Sequence, residues 1–216
     1  MTDELFQAMA RSIIDGDTDQ AVSLANQAIA QGIPPMDAIN RGFVQGVNHI
    51  GSEFAAGCAF LPELVMAGDS MKAAIAVLET EMAKTGTTRD AVGTVVIGTV
   101  QGDIHDIGKS LVGVMLSING FEVHDLGVDV PIVKFVEKAI ETNADLVAAS
   151  ALLTTSMTRQ RDLVEALDDM GLRPRVKVLV GGAPATPSWA KEIGADGYSP
   201  DAVSAVEQAR SLLAAR

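Results

Sequence analysis

Along roughly the first 84 residues the apolar positions recur at steps of three and four, the period of helices that each bury one face. Leu5, Met9 and Ile13 mark one stripe over residues 3–14, which stops at the turn-forming triplet Asp15-Gly16-Asp17. Ala21, Leu24, Ala25, Ala28 and Ile29 mark a second over 18–30, closed by Gly32 with Pro34-Pro35 beyond it. Ile39, Phe43, Val47 and Ile50 carry a third over 36–54, and a fourth runs over 62–84. Short connections between such segments predict four antiparallel helices in a small bundle.

The pattern then changes. Residues 84–90 are polar and rich in helix breakers, as suits a linker. Residues 92–100 (VGTVVIGTV) form a β-branched run too apolar for a strand with one wet face. Similar strands follow at 121–126, 145–149 and 176–180, with a weaker one at Gly197-Tyr198. Helical stretches at 109–118, 131–142, 158–170, 187–193 and 201–214 separate them. This alternation predicts a doubly wound α/β domain, a parallel sheet covered on both faces. The expected organisation is a helical domain over 1–86, a linker over 87–90 and an α/β domain over 91–216. Ligands of such sheets bind at the carboxyl ends of the strands, so those loops should carry the chemistry.

Composition narrows the possibilities. With 28 acidic and 16 basic side chains the net charge is −12, on a chain that is 48% hydrophobic and 20% charged. That balance fits a core-forming protein and lacks the Lys/Arg clusters that phosphate contacts of a nucleic-acid binder require. A single cysteine, Cys58, excludes an intrachain disulfide and a Cys-based zinc site. No secretory signal opens the chain and no run of about 18 apolar residues could span a membrane, so the expected compartment is the cytoplasm.

The first strand runs into Gln101-Gly102-Asp103-Ile104-His105-Asp106-Ile107-Gly108-Lys109-Ser110. The closing Gly-Lys-Ser imitates a phosphate-binding P-loop. That motif needs four residues between its glycines, whereas five lie between Gly102 and Gly108, two of them aspartates that would repel phosphate. His105 has two readings. It is a solvated loop histidine beside a helix start that Asp106 caps, or it is a metal ligand whose second ring nitrogen a neighbouring carboxylate holds. One histidine is too few for a metal centre built by protein alone, and His49 and His124 lie in unrelated elements. A metal at His105 should therefore arrive inside a cofactor.

Asp103-Ile104-His105-Asp106-Ile107-Gly108 resembles the Asp-x-His-x-x-Gly signature of cobalamin-binding domains, the family shared by methionine synthase, methylmalonyl-CoA mutase and corrinoid methyl carriers. Two further elements of that family follow in order. Ser150-Ala151-Leu152 follows Gly108 with 41 residues between, and Gly181-Gly182 follows Leu152 with 28 between. The resemblance implies an N-terminal four-helix bundle cap followed by a flavodoxin-like (Rossmann-like) sheet domain. It implies that His105 is the lower axial ligand of cobalt in a cobalamin or related corrinoid, with Asp103 on the far imidazole nitrogen and Ser156 completing a relay. Ile104, Asp106 and Gly108 fall within the signature. Ser150 and Thr154 match positions that line the channel for the displaced nucleotide tail, Leu152 is the cofactor-binding leucine of the Ser-x-Leu element, and Gly181 and Gly182 would let backbone approach that tail. The segment around Phe60-Leu61-Pro62 resembles the helical cap, where a phenylalanine such as Phe60 covers the methyl face of the corrin; Met66 is expected in the bundle core.

Taken over nearly the whole chain, the resemblance implies a methyl carrier rather than a complete enzyme. Its donor would be a methylamine, methanol or a betaine, and its acceptor a thiol or a folate. Its partners would be a substrate-specific methyltransferase, an acceptor methyltransferase and a reductive activase, with no nucleic acid or membrane. The −12 charge then reads as a steering field toward basic docking faces. Three alternatives are a cobalamin-dependent sensor, the cobalamin subunit of a mutase, and a flavin-binding protein of flavodoxin type. Scarce aromatics, with Trp189 and Tyr198 single, speak against the last.

Overall fold

The computed structural model describes residues 2–84 and 91–214, in two compact units, Met1–Asp90 and Ala91–Arg216. The linker expected at 87–90 lies outside the described residues.

In the first unit α1 (Thr2–Ile14) buries Leu5, Phe6, Met9 and Ile13 along one side. The Asp15-Gly16 turn follows, and Asp17 caps α2 (Thr18–Ala30) by accepting the Gln20 N–H at 2.9 Å. The third helical run is not regular throughout. It passes from α3 (Pro35–Asp37) through a π-helical turn, Ala38–Phe43, into α4 (Val44–Ala55). Val44 N–H bonds Ile39 C=O, the five-residue step of a π turn, and Ile39, Phe43 and Val47 are all buried. In α5 (Leu61–Lys84) the buried stripe is Leu64, Ala67, Met71, Ala74, Leu78 and Met82. Met66 lies off that stripe and is half exposed, so its expected place in the bundle core is corrected.

In the second unit, among the described residues, five parallel strands lie in the order β2-β1-β3-β4-β5. They are β1 (Thr94–Thr99), β2 (Glu122–Asp125), β3 (Leu146–Ser150), β4 (Lys177–Gly181) and β5 (Gly197–Ser199). That is the flavodoxin-type order, in which the chain reverses its winding between β1 and β3. β1 and β3 are buried along almost their whole length, as their β-branched and alanine-rich composition requires. β2 differs from the expected buried strand: it forms a sheet edge, and its sequence Glu-Val-His-Asp is partly exposed. Helices α6 (Ile107–Ile118) and α10 (Ala202–Ala214) pack together on the sheet, while α7 (Ile132–Glu141), α8 (Thr154–Asp169) and α9 (Pro187–Glu192) share the other core. There Val96, Val147, Val178 and Val180 meet Phe135, Leu163 and Leu167. Each such side chain, fully buried, contributes on the order of 1.5–3 kcal/mol. No described helix is long and apolar enough to cross a membrane.

One boundary matters for the site. α8 begins at Thr154, four residues before the helix expected from 158, so Ser156 lies inside its first turn. What holds this start is Asp103, a polar residue of the loop after β1, which a periodicity reading does not see.

Candidate site at the carboxyl ends of β1 and β3

The loop after β1 and the segment after β3 flank the point where the sheet reverses its winding. Asp103 joins them. Its side chain is wholly buried and its two oxygens face opposite ways. Oδ1 accepts the His105 backbone N–H at 3.1 Å and meets His105 Nδ1 at 2.7 Å. Oδ2 accepts from Leu152 N–H at 2.7 Å, Leu153 N–H at 3.2 Å and Ser156 Oγ at 2.7 Å. Ser156 is itself buried, and its hydroxyl also lies 3.0 Å from Leu153 C=O. Burial alone would raise the Asp103 carboxyl. The bonds from Ser156, His105 and the Leu152 backbone outweigh it and hold the group well below the usual carboxylate range.

That ionisation fixes the histidine. A carboxylate can only accept, so in the neutral ring Nδ1 carries the proton and Nε2 keeps its lone pair. The His105 side chain is 47% exposed, and among the described residues Nε2 has no partner. Thr99, buried at the end of β1, donates to His105 C=O at 2.8 Å. Asp129, at φ 52°, accepts Gly102 N–H at 2.7 Å and donates its own N–H to Asp103 C=O at 2.8 Å. The two segments that meet at Asp103 carry exposed apolar side chains: Ile104 at 75%, Ile107 at 81%, Leu152 at 41% and Leu153 at 43%.

The remaining residues fall around this centre. Asp106 stands at the start of α6, but its carboxylate does not cap the helix, a correction to the capping reading. It pairs instead with Lys109 at 2.7 Å, and this bond holds its carboxyl below the usual range. Lys109 is buried and also bonds both oxygens of Asp125 at 2.7 and 2.6 Å. Burial would lower its ammonium, but the bonds from Asp106 and Asp125 raise it overall. Gly108 leaves open space where a Cβ would stand. Ser150 closes β3 and is part-buried, and Thr154 opens α8 exposed. Gly181 ends β4; Gly182 has φ +114°, and a Cβ there would sit 1.8 Å from Ala151 C=O. The buried Gln160 bridges Ala149 C=O at 2.9 Å and Gly181 C=O at 3.0 Å, and accepts from the Trp189 indole at 2.9 Å. In the helical unit Phe60 is 66% exposed, and its backbone N–H is taken by Glu63.

The structure thus brings Asp103, His105, Leu152 and Ser156 into direct contact, with Ile104 and Asp106 beside them. Thr99, Asp129, Lys109, Asp125 and Gln160 were missed by sequence reasoning. Lys109 stood in plain view in Gly-Lys-Ser, weighed only as a phosphate ligand. Nothing in the local sequence marks the other four.

A flavodoxin-type sheet with a carboxylate-held, half-exposed histidine at its reversal point defines the class of α/β proteins that bind a ligand at the strand ends. Comparison with known proteins makes the class specific. The profile of the B12 binding domain matches residues 93–207, and a second B12 binding domain profile matches residues 5–79. The chain belongs to the B12-binding family, and its cofactor is a cobalamin or related corrinoid. It is 48% identical to dimethylamine corrinoid protein 2 of Methanosarcina acetivorans, over 98% of this chain and 97% of that one. It resembles the structure of the methanol:cobalamin methyltransferase complex of Methanosarcina barkeri, with TM-score 0.86 and 28% identity over all of this chain and 82% of that one. The monomethylamine corrinoid protein of M. barkeri matches with TM-score 0.53 and 38% identity, covering 98% and 100%.

The site fits such a cofactor. Among the described residues no three His, Cys, Asp or Glu side chains gather to hold a metal ion, so a metal at this site would have to come with its other ligands, as it does in a corrinoid. The exposed apolar residues offer a face to a large flat ring, and the space at Gly108 admits close approach to the start of α6.

Proposed function

We propose that this chain is a methyl carrier of a corrinoid-dependent methyltransferase system, with a methylamine as the original donor. The arrangement that supports the reading most is the buried Ser156–Asp103–His105 relay, which keeps Nε2 of a half-exposed histidine free to ligate. When bound, the corrin's cobalt supplies the atom that takes up and releases a methyl group. His105 would hold the cobalt through Nε2. Asp103 would hold the imidazole tautomer, and Ser156 would hold Asp103 and pass on a proton when ligation changes. Leu152 and Ile104 would contact the ring, and Ser150, Thr154, Gly181 and Gly182 the tail. Phe60, exposed in the helical unit, would be a further contact to the corrin. The names of the relatives, a dimethylamine and a monomethylamine corrinoid protein at 48% and 38% identity, favour a methylamine over methanol, at 28%. A substrate-specific methyltransferase would load the carrier, an acceptor methyltransferase using a thiol or folate would unload it, and an activase would re-reduce it.

Reconstitution with cobalamin tests the ligand: His105→Ala should bind the cofactor yet lose the histidine-on visible spectrum, and an unchanged spectrum would refute the assignment. Chain loaded with methylcobalamin and offered candidate acceptors with their methyltransferases tests the carrier role. Transfer to none of them would favour a sensor.

A further inference from the structure

Lys109 is placed where a lysine is least expected. It is the third residue of α6, in the turn where the helix dipole disfavours a cation, and its side chain is only 2% exposed. Burying an ammonium there is costly, and an apolar side chain of similar volume commonly stabilises a core as well or better. Two carboxylates from different parts of the chain make up for it. Asp125, the last residue of β2, offers both oxygens at 2.7 and 2.6 Å. Asp106, next in sequence to His105, offers one at 2.7 Å. The loop after β1 is therefore tied in three directions: to β1 through Thr99 and His105 C=O, to the β3 segment through Asp103, and to β2 through Lys109.

The geometry points to Lys109, with Asp125, as a positioning residue for His105: it fixes Asp106, and with it the peptide joining His105 to Asp106, so that the imidazole presents Nε2 in one orientation. An apolar residue would fill the same space without directing Asp106. The inference rests on His105 as the axial ligand. A ligand bond is directional, so a small rotation of the ring lowers the ligated population although cofactor contacts elsewhere are untouched.

The test uses protein loaded with cobinamide, a corrinoid without the nucleotide base, and reduced to Co(II), whose electron paramagnetic resonance spectrum then shows nitrogen splitting only when a histidine is bound. Lys109→Met should lower the ratio of histidine-on to histidine-off protein by about tenfold, the range typical of losing a partner behind a metal ligand. Asp125→Asn, which leaves Lys109 paired with Asp106, should act in the same direction more weakly. Lys109→Arg, keeping the charge, should recover signal relative to Lys109→Met. A wild-type ratio in Lys109→Met, or in Asp125→Asn should Lys109→Met not fold, overturns the inference. So does Lys109→Arg with no more signal than Lys109→Met, because the loss would then follow packing alone. His105→Ala separates the two readings. If it retains the nitrogen splitting, the ligand assignment itself fails; if it loses the splitting while Lys109→Met keeps it, only the positioning role fails.

Discussion

Replacing Asp103 by Asn changes one oxygen to an amide nitrogen, and the site has no room for that exchange. Five donors converge on the two carboxylate oxygens: His105 N–H and Nδ1 on one, and Leu152 N–H, Leu153 N–H and Ser156 Oγ on the other. An amide offers a single accepting oxygen. The two leucine N–H groups on one side and the single His105 backbone N–H on the other cannot reverse, whereas a histidine ring can exchange its tautomer, so turning the amide oxygen to the leucines leaves the fewer donors unmatched. The amide oxygen should therefore face Leu152, and its NH2 should face His105. Nδ1 then has to accept, the ring proton moves to Nε2, and the lone pair needed for ligation is gone. Keeping that lone pair would leave two N–H groups face to face, at a cost of about 1–3 kcal/mol, or roughly 5- to 150-fold in the histidine-on population. Reconstituted Asp103→Asn should bind cobalamin with a largely histidine-off visible spectrum. In the cofactor-free protein, nitrogen NMR should show protonation moved from Nδ1 to Nε2. A wild-type spectrum with Nδ1 still protonated would refute the tautomer argument.

Three further outcomes follow from the same geometry. The Asp103 carboxyl titrates in the folded chain below its ordinary value of 3.8, so its contribution to stability is complete above that pH and fades as pH falls below it. Denaturant unfolding from pH 6 to 3 should show the gap between wild type and Asp103→Asn narrowing toward acid; a constant gap would contradict this. Gly182→Ala, at φ +114° and with its Cβ 1.8 Å from Ala151 C=O, should lose more than about 2 kcal/mol by urea unfolding, and an unchanged midpoint would count against a close approach there. Gln160→Leu removes the bridge between Ala149 and Gly181 and the partner of the Trp189 indole. It should cost about 2 kcal/mol and shift the fluorescence of the chain's one tryptophan; unaltered emission would mean that the bridge does not hold Trp189.

What the sequence determined by itself is what periodicity and composition carry. The stripes at Leu5, Met9 and Ile13 and at Ala21, Leu24 and Ala25 specify helices, because burying one face of a helix dictates the spacing. The run through Val95, Val96 and Ile97 specifies a strand buried on both sides for the same reason. The elements around His105, Ser150 and Gly181 resemble those of cobalamin-binding domains, and it is that resemblance that pointed to the cofactor class. What only the tertiary structure decided are the contacts between residues far apart in the chain. Asp103 reaches Ser156, Lys109 reaches Asp125 and Gln160 reaches Gly181 because the parallel sheet brings the ends of β1, β2, β3 and β4 to one edge. The four-residue steps from Ile39 to Val47 likewise read as helix, and the π turn among them is seen only in the folded chain. A hydrogen bond or buried ion pair leaves no period in the sequence. Its partners are set by where the backbone returns, so they become visible only once the chain is folded.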